Sequence, residues 1–311
     1  MTKDSSLKKI YGLIGYPVKH SFSPAMHNAA FKYLNIDAEY RLFEVKPEEL
    51  KDFLLNKDFV AKDREGNSIH ARDIVGFNIT IPHKVRVLEL ARLVENVTVR
   101  VYPEVLLSGA VNTIKRDNGK LHYLNTDTIG FVKSLIEDLK FNPEDKNVLL
   151  FGCGGAGRAI IAGLTPQEGF KVKKIYIYDA NKEATNSAEN HFSALASNFG
   201  SLRNKLQFIS IEGIPKVIPA CQLLVNASPV GMKEGDGSVI DKNLLHQSLY
   251  IYDVVYNRKT QLIRDAESLG LHAKDGLGML LYQGVSAFEF WTGRKVPVEV
   301  MRKALVEAVS K

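Results

Sequence analysis

The stretch NVLLFGCGGAGRAIIAGL (147–164) decides the fold, because a short β-rich run passes through a glycine cluster directly into a helical pattern. The cluster reads Gly152-Cys153-Gly154-Gly155-Ala156-Gly157, a G-x-G-x-x-G in the strand-then-helix context that gives the pattern meaning. Without side chains, such a backbone turns tightly, approaches a pyrophosphate, and aims free N–H groups and the helix dipole at the anion. The bland alternative is a tight strand-to-helix turn with no ligand. Further on, KKIYIYD (173–179) ends in Asp179, at the spacing of about twenty residues where an acid accepts hydrogen bonds from the adenosine 2′- and 3′-hydroxyls. A 2′-phosphate there would meet like charge. Ala180-Asn181-Lys182-Glu183 follow with one cation and no Arg, so local chemistry favours NAD over NADP. The alternative role for Asp179 is to cap the next helix.

Outward from this core, short β-rich runs alternate with amphipathic helical patterns, which argues for an α/β fold with mostly parallel sheets. Four runs precede residue 120: YGLIG (11–15), EYRLFEV (39–45), DIVGFNIT (73–80) and AVNTIKR (110–116). Four follow residue 145: NVLLFG (147–152), KKIYIYD (173–179), QLLVNAS (222–228) and LYIYDVV (249–255). Between them, Phe131, Leu135 and Leu139 recur at helical spacing and Asn142-Pro143 stops the pattern, so a helix over 127–139 is predicted to bridge two domains. The polar segment 54–73 reads as a long surface loop, or a short helix plus loop.

The chain has 311 residues, enough for two domains, each with its own core. No apolar run approaches the roughly 18 to 20 residues of a membrane span. The segment MTKDSSLKKIYGLIG has no signal-peptide centre, so a cytoplasmic protein is expected. Cys153 lies in the glycine loop and Cys221 on an expected strand; two such cysteines make neither a disulfide framework nor a metal site. The formal charge is +6, but its cations are scattered among acids, which argues against nucleic acid and for small anions.

Three stretches in the first half concentrate hydrogen-bonding side chains. In HSFSPAMHNAAF, Ser21 and Ser23 flank Phe22 before Pro24, where two hydroxyls at a helix start suit a carboxylate or simply cap the helix. GFNITIPHK brings Asn78, Thr80 and Lys84 to a strand end; Lys84 is a proton carrier if its pKa is lowered, and otherwise a solvated charge. SGAVNTIKRDNGKLHYLNTDTIGF places Asn112 at a strand, and Asn125 and Asp127 at the start of the bridging helix.

Taken together, the motifs resemble the shikimate dehydrogenase family along nearly the whole chain. The matching segments are Gly15-Tyr16-Pro17-Val18 with Ser21-Phe22-Ser23-Pro24, NITIPHK (78–84), GAVNT (109–113), NTDTIGF (125–131), the glycine loop (152–157), NASPVGM (226–232) and DGLGMLLYQG (275–284). The resemblance implies an N-terminal α/β substrate-binding catalytic domain (1–127 plus 280–311) and a C-terminal Rossmann-type dinucleotide-binding domain (128–279). It implies reversible NAD(P)-dependent oxidation of shikimate to 3-dehydroshikimate, in the pathway to aromatic amino acids. Carried over by position, Ser21, Ser23 and Tyr256 bind the ring carboxylate, and Thr80, Lys84, Asn112, Asp127 and Gln283 face the ring hydroxyls. Lys84 and Asp127 form the catalytic pair, consistent with the need for an acid/base at the hydroxyl that loses hydride. Gly152, Gly154, Gly155, Ala156, Gly157, Asp179, Asn226, Ser228 and Gly276 are assigned to the cofactor. No metal is implied. The final helices return to the first domain, with a last helix starting near Pro297. The bridging helix and the Gly276–Gly278 segment are hinge candidates.

The chain departs from the family pattern in three places. NADP-type members follow the second nucleotide strand with Asn-Arg-Thr, where this chain has Asp179-Ala180-Asn181, resembling the NAD-using quinate/shikimate branch; yet Ser23 stands where that branch often carries Thr. The reading is therefore NAD first and NADP second, shikimate first and quinate second. The family's Tyr-Asn-Pro-x-x-Thr is Tyr256-Asn257-Arg258-Lys259-Thr260 here, without the Pro and one residue shorter, and residues 58–72 form an insertion. A monomer or homodimer is expected. Competing readings are a non-catalytic nucleotide sensor, a nucleic-acid binder, and a dehydrogenase of other substrates such as methylene-folate.

Overall fold

The computed structural model describes residues 8–91, 98–165, 172–198, 202 and 204–310. The chain divides into two compact units: Met1–Val105, Ala110–Thr126 and Gly284–Lys311 form the first, and Leu106–Gly109 with Asp127–Gln283 form the second.

The first unit starts with β1 (Lys9–Gly15), α1 (Ser23–Tyr33), β2 (Ala38–Glu44) and α2 (Leu50–Leu55), followed by β3 (Val60–Lys62) and β4 (Ser68–His70). It continues with β5 (Ile74–Ile79), α3 (His83–Ala91), β6 (Val99–Val101), α4 (Pro103–Ser108), β7 (Thr113–Asp117) and β8 (Lys120–Leu124). Its main sheet runs β2-β1-β5-β7-β8-β6. β2 and β5 flank β1 in parallel and β6 runs parallel to β8, whereas β7 is antiparallel to both β5 and β8. The antiparallel turn follows from Asn118-Gly119, both at positive φ (47° and 77°), as a two-residue hairpin turn of matching twist requires. Ile14, Phe43, Phe53, Phe77, Ile79 and Ile114 fill the core.

Segment 54–73 is not the loop expected from its polarity. β3 and β4 form an antiparallel hairpin, closed by Asp63, whose carboxylate accepts from the Asn67 N–H at 2.8 Å and from Arg41 at 3.2 Å. The hairpin reaches edge strand β2 through the Phe43–Asp63 bridge and the Arg64 N–H to Leu42 carbonyl bond. Polar residues form a strand pair here because one buried carboxylate collects the turn's donors.

The second unit follows α5 (Thr126–Glu137) with β9 (Asn147–Phe151), α6 (Gly155–Leu164), β10 (Lys174–Tyr178), α7 (Lys182–Asn198), β11 (Leu206–Phe208) and α8 (Ile214–Val217). β12 (Leu223–Asn226), β13 (Tyr250–Asp253), α9 (Gln261–Ser268), β14 (Ala273–Lys274) and the start of α10 (Leu277–Thr292) complete it; α10 from Gly284 onward and α11 (Val298–Val309) belong to the first unit. Cys221 lies two residues before β12, not on it. The sheet is wholly parallel in the order β11-β10-β9-β12-β13-β14, a doubly wound Rossmann arrangement. Both faces are covered: Val148 and Leu150 pack with Ile160 and Ile175 on one, Leu149 and Phe151 with Leu224 and Leu262 on the other. That is why β9 reads as a continuous apolar run. No helix among the described residues is long and apolar enough to cross a membrane.

Candidate functional site

In the first unit, the serine pair lies at the start of α1. Ser21 Oγ accepts from the Ser23 N–H at 3.3 Å and donates to Ser23 Oγ at 3.2 Å. The helix-cap position itself is Phe22, which offers no side-chain acceptor, and Ser23 is buried. The two hydroxyls are thus coupled to each other beside the first free N–H groups of α1, a setting that suits a carboxylate.

Thr80 lies one residue past β5, its N–H bonded to the Ile14 carbonyl at 2.9 Å, and Lys84 is the second residue of α3. The Val111 N–H donates to the Lys84 carbonyl at 2.8 Å, which ties α3 to the segment just before β7. Asn112 lies one residue before that strand rather than on it. Its Oδ1 accepts from the Thr126 N–H at 2.7 Å and from the Thr113 hydroxyl at 2.9 Å, while its Nδ2 donates to Thr126 Oγ1 at 3.0 Å. Asn112 is therefore the N-terminal clamp of α5, one residue ahead of Asp127, which is also buried. Behind it a buried chain continues: Asn78 Nδ2 donates to Thr113 Oγ1 at 2.9 Å, and the Tyr40 hydroxyl donates to Asn78 Oδ1 at 2.8 Å. Asn125 donates to the Ala110 carbonyl at 3.0 Å. Two consecutive residues, Val111 and Asn112, thus fix the backbone at Lys84 and at the start of α5.

In the second unit, the glycine loop leaves β9 beside the point where the sheet's strand order reverses, where doubly wound folds take ligands. Gly152 has φ +91°, and a Cβ there would press on the Ala227–Ser228 backbone at 2.7 Å. A Cβ on Gly157 would collide with the Gly152 carbonyl, so α6 can start this close only with glycine. At Gly154 a Cβ would meet nothing within 4 Å, and Gly155 and Ala156 open α6. The result is a bare backbone concavity at a ten-residue helix, a form that fits a dinucleotide pyrophosphate.

Asp179 closes this loop from the side. Its Oδ2 accepts from the Cys153 N–H at 2.8 Å, and its Oδ1 from the Asn181 N–H at 2.8 Å. Asn181, not Asp179, caps α7, with Oδ1 accepting from Glu183 and Ala184 N–H groups at 2.9 and 3.1 Å. Burial, and then the Asp179 charge, push the Cys153 thiol up to about 12, so it stays protonated. Arg158 is buried and holds the Cys153 carbonyl and Ser187.

At the ends of β12 and β13, Asn226 Oδ1 accepts from the Ser228 N–H at 3.0 Å and its hydroxyl at 2.6 Å. Asn226 Nδ2 donates to Asp253 Oδ1 at 2.9 Å, and the Thr260 hydroxyl to Asp253 Oδ2 at 2.7 Å. Asp253 is fully buried, and desolvation raises its pKa to about 6. Tyr256 lies on the loop between Asp253 and Thr260. Gly276 approaches that loop so closely that a Cβ would overlap the Val254 carbonyl, and its N–H donates to Val255 at 3.2 Å. Gln283 is buried on α10, its Nε2 donating to the Leu280 carbonyl at 2.9 Å; Gly130 of α5 leaves room for the Gln283 backbone, 2.8 Å from where a Cβ would stand. Sequence reasoning missed Asp253, Thr260, Asn181 and Arg158. Their signals were an acid ending a strand with Thr seven residues on, and Asn one residue before a helix.

Two family models match the chain: the shikimate dehydrogenase substrate binding domain over residues 13–114, and the shikimate 5'-dehydrogenase C-terminal domain over 276–306. A shikimate dehydrogenase (NADP(+)) from Methanopyrus kandleri is 38% identical over 305 residues, spanning 96% of this chain and 95% of that protein. Among solved structures, shikimate 5-dehydrogenase from Listeria monocytogenes, in complex with shikimate and NAD, aligns with a TM-score of 0.77 and 31% identity, over 98% of this chain and 99% of that one. Quinate dehydrogenase from Corynebacterium glutamicum, in complex with NAD, aligns with a TM-score of 0.76 and 28% identity, over 96% and 98%.

Proposed function

Because the chain belongs to the shikimate dehydrogenase family, we propose that it oxidises shikimate to 3-dehydroshikimate reversibly, passing hydride to a nicotinamide cofactor. The observation that carries this reading is the pair of tethers at 111–112: Val111 bonded to the Lys84 carbonyl, and Asn112 bonded to the N–H of Thr126, the residue before Asp127. They fix the backbone at Lys84 and at the residue that precedes Asp127.

In this reading Ser21 and Ser23 hold the ring carboxylate with Tyr256, and Thr80, Asn112 and Gln283 take ring hydroxyls. Lys84 accepts the proton of the C3 hydroxyl as hydride leaves C3, and returns it in the reverse direction. Asp127 orients the Lys84 amino group, which must be the neutral amine to take up that proton, and a neighbouring hydroxyl. The bound nicotinamide supplies the hydride acceptor. Gly152, Gly154, Gly155, Ala156 and Gly157 receive its pyrophosphate, with Asn226, Ser228 and Gly276 alongside.

The cofactor reading is NAD before NADP. Asp179 presents a carboxylate beside the loop, and Ala180 supplies no cation for a 2′-phosphate. The Methanopyrus relative carries NADP(+) in its name, so the ratio of the two specificity constants is the deciding quantity. The test follows NAD(P)H absorbance with shikimate and, separately, quinate, each with NAD and with NADP. Shikimate turnover is expected with NAD favoured. No turnover of either ring acid overturns the function, and an NADP preference overturns only the cofactor assignment.

A further inference from the structure

Two loops leave the ends of neighbouring strands β12 and β13: residues 227–232 after Asn226 and 254–260 after Asp253. Three donors converge on the Asp253 carboxylate between them: the Asn226 amide at 2.9 Å, the Val255 N–H at 3.1 Å and the Thr260 hydroxyl at 2.7 Å. Both carboxylate oxygens are engaged: Oδ1 accepts from Asn226 and Val255, and Oδ2 from the Thr260 hydroxyl. The constraint is passed on in both directions. Asn226 Nδ2 also donates to the Val230 carbonyl at 3.0 Å, while its Oδ1 holds Ser228. Thr260 Oγ1 accepts from the Ile263 N–H at 3.3 Å and so caps α9. The loops also touch directly, since a Cβ on Gly231 would lie 2.8 Å from the Thr260 methyl.

A wholly buried carboxylate with neutral partners is a costly way to hold two loops, and depriving it of any one of its three donors costs more. We propose that Asp253 is a positioning residue, a buried acceptor hub that sets the loop carrying Ser228 and the loop carrying Tyr256 as one unit. The proposal rests on the reading above, in which Ser228 serves the cofactor and Tyr256 the substrate carboxylate. The bond from Thr260 to Asp253 joins the two ends of the Tyr256 loop.

The test is Thr260→Val, which keeps the side-chain volume and removes the donor, with Thr260→Ser as the conservative control. The expected result is a rise in KM for shikimate and for the cofactor together, each about tenfold, as for a lost hydrogen bond to a charged group. kcat should change less, and Thr260→Ser should return both KM values to those of the parent. A folded Thr260→Val protein with either KM unmoved, or a loss that Ser does not restore, overturns the hub. If Thr260→Val does not fold, Thr260→Ala asks the same question, since it removes the hydroxyl without placing a methyl against the carboxylate. Absence of shikimate turnover in the parent protein would instead sink the underlying function. Fluorescence titration of parent and variants with NADH and NADPH would still read the cofactor loop, and equal dissociation constants would overturn the hub.

Discussion

The backbone N–H of Cys153 donates to Asp179 Oδ2 at 2.8 Å, so the acid ending β10 and the glycine loop ending β9 form one hydrogen-bonded unit. Asp179 Oδ1 accepts from the Asn181 N–H, and Asn181 in turn caps α7. Asp179 thus shapes the loop, in addition to the role against a 2′-phosphate proposed for it above. Asp179→Ala is expected to weaken both cofactors by loosening the loop, NAD by about tenfold and NADP by less, because the same change removes the charge that opposes a 2′-phosphate. Ala180→Arg leaves that bond in place and should raise kcat/KM with NADP relative to NAD. Fluorescence titration of both variants separates the effects; an Asp179→Ala protein that loses NAD affinity alone would show that its carboxylate serves only the ribose.

Lys84 contributes its backbone carbonyl to the Val111 tether, and truncating its side chain leaves that tether intact. Lys84→Ala should therefore lower kcat by roughly 10²- to 10⁴-fold, the range for loss of a positioned acid/base, with cofactor affinity near that of the parent. Turnover at saturation equal to that of the parent would remove Lys84 from the proton-transfer step.

Much of the fold is legible in the sequence because burial on both faces writes itself as apolar runs: every strand of the second unit longer than three residues coincides with such a run. What was hidden has particular causes. β8 follows Asn118-Gly119, a hairpin turn that was visible but buried inside a polar stretch. The β3–β4 hairpin is held by Asp63 rather than by an apolar face, so no alternation announces it. At the site, the positions of Ser21, Lys84 and the glycines follow from local motifs, whereas Asp253 acts on Asn226, twenty-seven residues away in sequence, through a contact only the parallel pairing of β12 and β13 creates.

Gly154 and Gly157 belong to one motif yet face opposite surroundings. A methyl at Gly157 would strike the Gly152 carbonyl, which is backbone and cannot yield. Gly157→Ala should lower the melting temperature and abolish cofactor binding. A methyl at Gly154 meets nothing within 4 Å and would stand in open space at the start of α6, where the proposed pyrophosphate would lie. Gly154→Ala should melt like the parent while binding the cofactor at least about tenfold more weakly. Parallel thermal melts and titrations check both; cofactor affinity unchanged in Gly154→Ala would place the pyrophosphate elsewhere.

His27 lies wholly inside the first unit, stacked on Tyr40 with ring centroids 4.4 Å apart and flanked by Phe288 and Trp291. Neither ring nitrogen has a hydrogen-bond partner among the described residues, and burial pulls its pKa down to about 3. The unfolded chain takes up a proton near pH 6.5, which the folded one refuses. The neutral ring therefore contributes stability that is fully present above about pH 6.5 and is lost as pH falls toward the folded value. His27→Phe keeps a ring of similar size and removes the titration. Its stability relative to the parent should increase by roughly 2 to 3 kcal/mol between about pH 7.5 and about pH 4.5, since each pH unit below 6.5 adds about 1.4 kcal/mol to the parent's loss. Urea unfolding of both proteins at the two pH values measures this directly, and a difference that stays constant would mean that the folded protein protonates His27 as readily as the unfolded chain does.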